Sequence, residues 1–212
     1  MSFRVRTKIC GITRRDDALM AIDAGADAIG LVFYPPSPRN VSVEQARKIV
    51  SALPAFVSTT ALFVNAQPEL VKQVIAEVGV DLLQFHGEET AQSCRAFGRP
   101  YIKAIAMQAH INLVEMAEHY YDARALLLDT YKPGVPGGTG ESFNWQWVRP
   151  LAGKPLILAG GLTPDNVAQA IAQTGVYAVD VSGGVEASKG VKCAEKVQQF
   201  IKQANVMSGR YK

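Results

Sequence analysis

Apolar and polar positions along this chain repeat as one unit: an amphipathic helical stretch, a glycine, a short gap and a β-rich run. Ala-Ile-Asp-Ala-Gly25-Ala-Asp-Ala-Ile-Gly-Leu-Val is one copy, Val-Ile-Ala-Glu-Val-Gly79-Val-Asp-Leu-Leu-Gln-Phe a second, and Ala-Ile-Ala-Gln-Thr-Gly175-Val-Tyr-Ala-Val-Asp-Val a third. Each glycine falls where a helix ends in the left-handed conformation, which costs other residues a Cβ clash. Eight strands are predicted near 4–10, 28–33, 57–64, 82–86, 101–106, 125–129, 155–159 and 178–182. Several are nearly continuous apolar runs, such as Ala125 to Leu128, as strands buried on both faces require. Helical periodicity follows each strand, near 14–24, 43–52, 68–78, 89–97, 111–120, 144–151, 164–173 and 192–204. Ser42 with Gln45 three residues on has capping-box spacing, and Pro68 and Pro164 are placed at first helical positions.

Strict strand-helix alternation permits a closed barrel or an open doubly wound sheet. Eight units in 212 residues favour a single compact (β/α)₈ TIM barrel over residues 1–206, with 207–212 as a C-terminal tail. The first strand also lacks the Gly-x-Gly-x-x-Gly dinucleotide signature. Two connections are longer than the rest: Pro35 to Asn40, and Thr130 to Phe143 with its Gly137-Gly-Thr-Gly140. Both follow strands, so a barrel carries both on one face as binding loops or lids.

Composition narrows the partners. A net charge of +3 is too weak for a nucleic-acid or membrane-surface protein, though it suits an anionic ligand. The first residues carry charge without an apolar core, so no signal peptide is expected, and no run is long and apolar enough to span a membrane. Cys10, Cys94 and Cys193 are few and scattered, as in reduced cytoplasmic proteins, and no Cys or His pair has zinc spacing; neither metal nor cofactor is expected.

Gly-Gly pairs end strands seven and eight, in Ala159-Gly160-Gly161-Leu162 and Ser182-Gly183-Gly184-Val185. In barrels these two loops, with a short helix N-terminus, often form a phosphate site, because backbone N–H groups unobstructed by side chains converge on an anion. Cys10 closes strand one and Asp129 closes strand six, the strand ends at which ionisable residues read as catalytic. Taken singly, Cys10 also fits a small buried hydrophobe and Asp129 a cap; above a phosphate site an acid-base pair fits both. Lys8 shares the strand face of Cys10 at roughly 6.6 Å, where an ammonium favours thiolate; a Schiff-base role or a partner carboxylate would also explain it. His86 ends strand four, to touch a substrate or to hydrogen-bond locally. Cys94 and Cys193 read as structural, and Trp145 and Trp147 as packing. Arg39 has the fork to clamp a carboxylate.

Lys-Ile-Cys10-Gly-Ile-Thr, Gly-Leu-Val-Phe33-Tyr-Pro-Pro-Ser-Pro-Arg39, Leu-Gln-Phe-His86-Gly, Leu-Leu-Asp129-Thr, Gly137-Gly-Thr-Gly140, Leu-Ala-Gly160-Gly-Leu and Asp180-Val-Ser occur in an order that closely resembles the phosphoribosylanthranilate isomerase family. That resemblance spans nearly the whole chain. It implies a cofactor-free barrel that performs an Amadori rearrangement on a phosphosugar, as a monomer or weak homo-oligomer. Asp129 matches the general acid that opens the ribose ring, and must be protonated when substrate is bound. Cys10 matches the base that removes the C2′ proton. Arg39 matches the anthranilate-carboxylate ligand, Gly161, Ser182 and Gly183 the phosphate positions, and Asp180 a position near the sugar hydroxyls. Two departures stand out. The family often has Ser where Gly183 stands, so a hydroxyl donor is lost. It often has Lys-Asp where Lys192-Cys193 stands, which removes a favourable charge from the start of the last helix.

Other phosphate barrels fit less well. Indole-glycerol-phosphate synthase would need several Lys and Glu at strand ends, and a pentose-phosphate epimerase a carboxylate pair and usually a metal. A Schiff-base aldolase would use Lys8 or Lys103, and a non-enzymatic sugar-phosphate sensor would bind without turnover.

Overall fold

The computed structural model describes residues 4–131 and 142–206; the predicted Gly137 to Gly140 segment and the tail from Met207 lie outside them. Eight parallel strands close into a barrel in sequence order: β1 (Arg6–Ile9), β2 (Ala28–Phe33), β3 (Ser58–Phe63), β4 (Leu82–Phe85), β5 (Tyr101–Met107), β6 (Ala125–Thr130), β7 (Leu156–Leu158) and β8 (Ala178–Val181). The ring is sealed where β1 pairs β8, from Arg6 against Ala178 to Ile9 against Val181. Helices α1 (Arg15–Asp23), α2 (Val43–Val50), α3 (Pro68–Val78), α4 (Ala91–Arg95), α5 (Leu113–His119), α6 (Val167–Thr174) and α7 (Ala194–Val206) follow. None of the described helices is long and apolar enough to cross a membrane.

Alternation along each strand sorts side chains into two cores. Ile9, Leu31, Phe63, Leu83, Phe85, Leu126, Leu128 and Val179 belong to the large outer cluster shared with the helices. Ile102, Ala104, Ala125, Leu127, Ile157, Ala159 and Ala178 form a separate inner cluster. The inner lining is not uniformly apolar. By the same parity Lys8, Thr60, Gln84 and Asp180, all buried, face inward from β1, β3, β4 and β8. Asp129 shares that side within β6, and one further step along β1, β4 and β8 puts Cys10, His86 and Ser182 on the inner side of the mouth.

Local signals explain most helix boundaries. Ser42 accepts from the Gln45 N–H, but the Gln45 amide donates to the Thr13 carbonyl instead of returning to Ser42, so half of the expected box forms. Pro68 opens α3 as predicted, and Gly79 and Gly175 close α3 and α6 with φ of 72° and 61°. Pro164 does not open α6. The helix starts at Val167, because the Asn166 side chain turns back to accept from the Thr163 N–H and holds Pro164 in a preceding turn. The helix expected over 144–151 is a single 3₁₀ turn, Trp145–Trp147. Pro150 lacks the N–H a longer helix would use, and both Trp side chains instead pack on the outer core.

A hairpin that the sequence did not suggest follows β8: β9 (Glu186–Ser188) and β10 (Val191–Lys192), turning at Gly190 with φ of 81°. It occupies the start of the segment read as the last helix, which begins at Ala194. Cys193 Sγ lies 3.0 Å from Glu195 Oε2, and Glu195 supplies the negative charge in the first turn that Cys193 does not.

Candidate active site

A cavity of about 310 Å³ opens at the C-terminal end of the barrel, lined by Cys10, Arg39, His86, Asp129, Gly160, Gly161, Asp180, Ser182 and Gly183 among others. The residues assigned catalytic or binding roles from the sequence therefore line one cleft, except Lys8, which precedes Cys10 by two positions on the same strand face. Its size is that of a small-molecule site.

Cys10 is buried and leans over Gly30. A Cβ at Gly30 would stand 2.7 Å from Cys10 Sγ and 3.1 Å from Lys8 Cε, so that glycine makes room for both side chains. Lys8 Nζ lies 2.9 Å from Asp180 Oδ1, out of line for a hydrogen bond, a charge contact in the barrel interior. Burial works against the Lys8 ammonium, but Asp180 and Cys10 outweigh it and hold Lys8 above its ordinary pKa. Burial pushes the Cys10 thiol up; Lys8 pulls it down, Asp180 pushes it up and Lys192 pulls it down, and the outcome is upward. The thiolate support expected from Lys8 is present, yet burial exceeds it.

The sign of that balance gives a test. Thiolate grows as pH rises toward the raised pKa, so the acid limb of kcat/KM should rise across neutral pH. In Lys8→Met the cation is gone and Asp180 is unpaired, and both changes disfavour thiolate. The limb should move to higher pH and activity at neutral pH should fall, with recovery on the alkaline side. Lys8→Met/Asp180→Asn should recover part of the shift. An unmoved limb in Lys8→Met would show that Lys8 does not act on the thiol.

Asp129 is buried at the end of β6. Its Oδ1 accepts from the Thr130 N–H at 2.8 Å, and its Oδ2 lies 3.0 Å from His86 Nε2. His86 is held from behind by Gln84, whose Nε2 is 3.0 Å from His86 Nδ1. The turn after His86 is pinned: Gly87 N–H donates to Glu89 at 2.9 Å, and Lys103 Nζ reaches the Gly87 carbonyl at 2.5 Å and Glu89 Oε2 at 2.9 Å. Lys103 thus serves the outside of the barrel and is no Schiff-base candidate for the cavity.

Arg39 sits on a loop that folds back on its own strand. Ser37 N–H donates to Tyr34 O, Asn40 N–H to Ser37 O and Val41 N–H to Val32 O, at 2.9, 3.0 and 2.9 Å. Glu186 takes the guanidinium in two-pronged fashion, at 2.7 Å from Nε and 2.8 Å from Nη2, which leaves Nη1 for a ligand. Lys192 Nζ in turn lies 3.0 Å from Glu186 Oε1 and 3.2 Å from the Ser182 carbonyl. Burial opposes the Glu186 charge, but Arg39 and Lys192 hold the carboxyl below its usual range. Burial lowers the Lys192 ammonium in spite of Glu186. Sequence reasoning missed Glu186, Lys192 and Gln84. A lysine at a helix start opposes the dipole, and a glutamine inside an apolar strand must find partners; those were the available signals.

The glycine turns complete the cavity lining, and the second of them, at Ser182 and Gly183, adjoins Arg39 and Lys192. Gly160 and Gly161 have φ of 76° and 61°, a left-handed pair that aims successive peptides at one concavity. A Cβ at Gly184 would run into the Leu162 carbonyl, which makes the packing of the two turns glycine-dependent, whereas one at Gly183 would meet only the end of Arg39, at 3.1 Å. Gly183 is therefore a position where the serine common in the resembled family would fit with a small shift of that guanidinium.

Comparison with known proteins agrees. The model of a family described as N-(5'phosphoribosyl)anthranilate (PRA) isomerase matches residues 7–203. A Pseudomonas fluorescens (strain Pf0-1) protein named N-(5'-phosphoribosyl)anthranilate isomerase is 58% identical over 197 residues, 93% of this chain and 97% of that one. The crystal structure of phosphoribosyl anthranilate isomerase from Thermotoga maritima superposes with a TM-score of 0.85 at 42% identity, over 94% of this chain and 98% of that one. A phosphoribosyl anthranilate isomerase solved in complex with reduced 1-(o-carboxyphenylamino)-1-deoxyribulose 5-phosphate superposes at 0.79 with 40% identity, over the same shares.

Proposed function

The chain belongs to the N-(5'-phosphoribosyl)anthranilate isomerase family, and from that premise we propose how its own residues divide the work. The activity is the Amadori rearrangement of N-(5-phosphoribosyl)anthranilate to 1-(2-carboxyphenylamino)-1-deoxyribulose 5-phosphate, in tryptophan biosynthesis. Asp129 gives its proton to the ribose ring oxygen. The C1′–O bond breaks and the anthranilate nitrogen becomes an iminium. That cation acidifies C2′, and the Cys10 thiolate removes the C2′ proton; its electron pair forms the C1′=C2′ bond of an enolamine and neutralises the nitrogen. Transfer of the enol proton to C1′ completes the ketone. The iminium is the electron sink, so these steps call on no further group.

The observation that carries this reading is the common cleft: a thiol, a carboxyl, a forked cation and two glycine turns all line one cavity. Gly161, Ser182 and Gly183 hold the phosphate through backbone N–H groups, Asp180 faces the sugar hydroxyls, and Arg39 takes the anthranilate carboxylate with the edge that Glu186 leaves open. The test is turnover of phosphoribosylanthranilate generated in situ, followed by loss of its fluorescence. Arg39→Ala should raise KM by roughly 10- to 100-fold, the worth of a charge-assisted contact of about 1.5–3 kcal/mol, with a smaller change in kcat. An unchanged KM would remove Arg39 from the carboxylate site.

We place the protein in the cytoplasm as a monomer or weak homo-oligomer, with a small phosphosugar as its partner and neither nucleic acid nor membrane. Free Cys10, Cys94 and Cys193 support the reducing compartment, and sedimentation over a concentration series reads the assembly state.

A further inference from the structure

Gln84 is among the residues the proposed mechanism leaves without a task. It is fully buried, at 0% exposure, in the middle of β4. Gln84 and His86 are two residues apart on one strand, so they share the inner face. The Gln84 Nε2 to His86 Nδ1 distance is 3.0 Å, and the His86 Nε2 to Asp129 Oδ2 distance is also 3.0 Å. Amide, imidazole and carboxyl thus form one chain. The other end of the amide, Oε1, is buried with no hydrogen-bond partner among the described residues. A buried acceptor left unmatched costs on the order of 1–3 kcal/mol, so this glutamine is not there to satisfy its own hydrogen bonds.

An amide N–H₂ donates and cannot accept. Facing it, Nδ1 must be bare, and a neutral ring then carries its proton on Nε2. We propose that Gln84 is a positioning residue: it fixes the His86 tautomer so that an Nε2–H points at Asp129. The carboxyl then receives an N–H on each oxygen, from Thr130 on Oδ1 and from His86 on Oδ2. Both bonds strengthen as negative charge develops there, which is when Asp129 hands its proton to the substrate ring oxygen. His86 acts by hydrogen bonding alone and neither gains nor loses a proton in the step. This inference rests on Asp129 being the acid.

Nitrogen-15 NMR of the whole protein reads the tautomer directly, because protonated and bare ring nitrogens resonate far apart. The chain has three histidines, and a His86→Asn spectrum assigns the ring. In the wild type near neutral pH, His86 should show a protonated Nε2 and a bare Nδ1. Gln84→Met keeps the bulk and removes the donor. The two nitrogen shifts should converge toward a mixed tautomer, and kcat should fall by roughly tenfold, the lower end of what loss of a ring-orienting partner costs, with KM within twofold. Gln84→Glu presents only acceptors and should move the proton to Nδ1, with a kcat loss at least as large. A wild-type ring protonated on Nδ1 overturns the proposal without any variant having to fold. So does a Gln84→Met protein that keeps either the wild-type tautomer or the wild-type kcat. Failure of the acid assignment is separate: it appears as activity retained in Asp129 variants, whatever tautomer the spectra show.

Discussion

Cys10→Ala should lower kcat by about 10²- to 10⁴-fold, the range that a positioned general base contributes, in a protein that still folds. The substitution removes one sulfur atom from a thiol lodged against Gly30. The resulting gap should cost on the order of 1 kcal/mol of stability, too little to unfold a barrel of this size. Cys10→Ser separates chemistry from packing. It refills nearly the same volume with a hydroxyl that ionises far less readily, so stability should return while activity stays low. The buried thiol is not an obstacle to this role. Burial makes thiolate scarce in the free site, but a scarce thiolate is a stronger base when it forms, and the iminium it faces is a cation in the same cleft. Gly30→Ala makes a further point in the same assay. Its methyl group would press on Sγ and on Lys8, displacing the base without deleting it, so activity should fall although every ionisable residue remains. Wild-type kcat in Cys10→Ala would end the assignment.

Much of this was legible in the sequence, for identifiable reasons. The barrel was readable because several strands, such as Ala125 to Leu128, are apolar runs of the kind buried on both faces, and because Gly79 and Gly175 mark helix ends only glycine fits well. Parity then carried Cys10, His86, Asp129 and Asp180 to the inner side together. What failed was local competition. Asn166 and Thr163 pair with each other and displace the start of α6, although Pro164 looked like a first helical residue. Apolar spacing over 144–151 resembled a helix because Trp145 and Trp147 must both reach the outer core, which a single 3₁₀ turn accomplishes. The Arg39–Glu186–Lys192 chain was invisible for a different reason. It joins residues 147 positions apart in sequence, and no periodicity or short motif encodes such a pairing. Gln84 was readable in principle: one amide between Leu83 and Phe85 breaks an otherwise apolar strand, and only a buried partner justifies it.

Asp129→Asn should be as damaging as loss of the thiol, with kcat down by about 10²- to 10⁴-fold, and it isolates proton donation from shape. Asparagine keeps the size of the side chain and the acceptor that takes the Thr130 N–H, but it turns an N–H₂ toward the His86 Nε2–H. That unmatched donor should cost on the order of 1–3 kcal/mol, at roughly 2–4 °C in Tm per kcal/mol for a chain of this length. What asparagine lacks is a proton to release. Ring opening then depends on water, while the phosphate turns and Arg39 still hold the substrate. KM should stay within a few-fold, and the loss should fall almost wholly on kcat, the signature of an interaction made in the transition state. The paired measurement is fluorescence-detected turnover with thermal unfolding on the same preparation. Asp129→Ala is the weaker experiment, because it also removes the bulk of the side chain and strips a partner from the Thr130 N–H. If Asp129→Asn turns over within tenfold of the wild type, the ring oxygen takes its proton from elsewhere, and the carboxyl at the end of β6 only orients its neighbours.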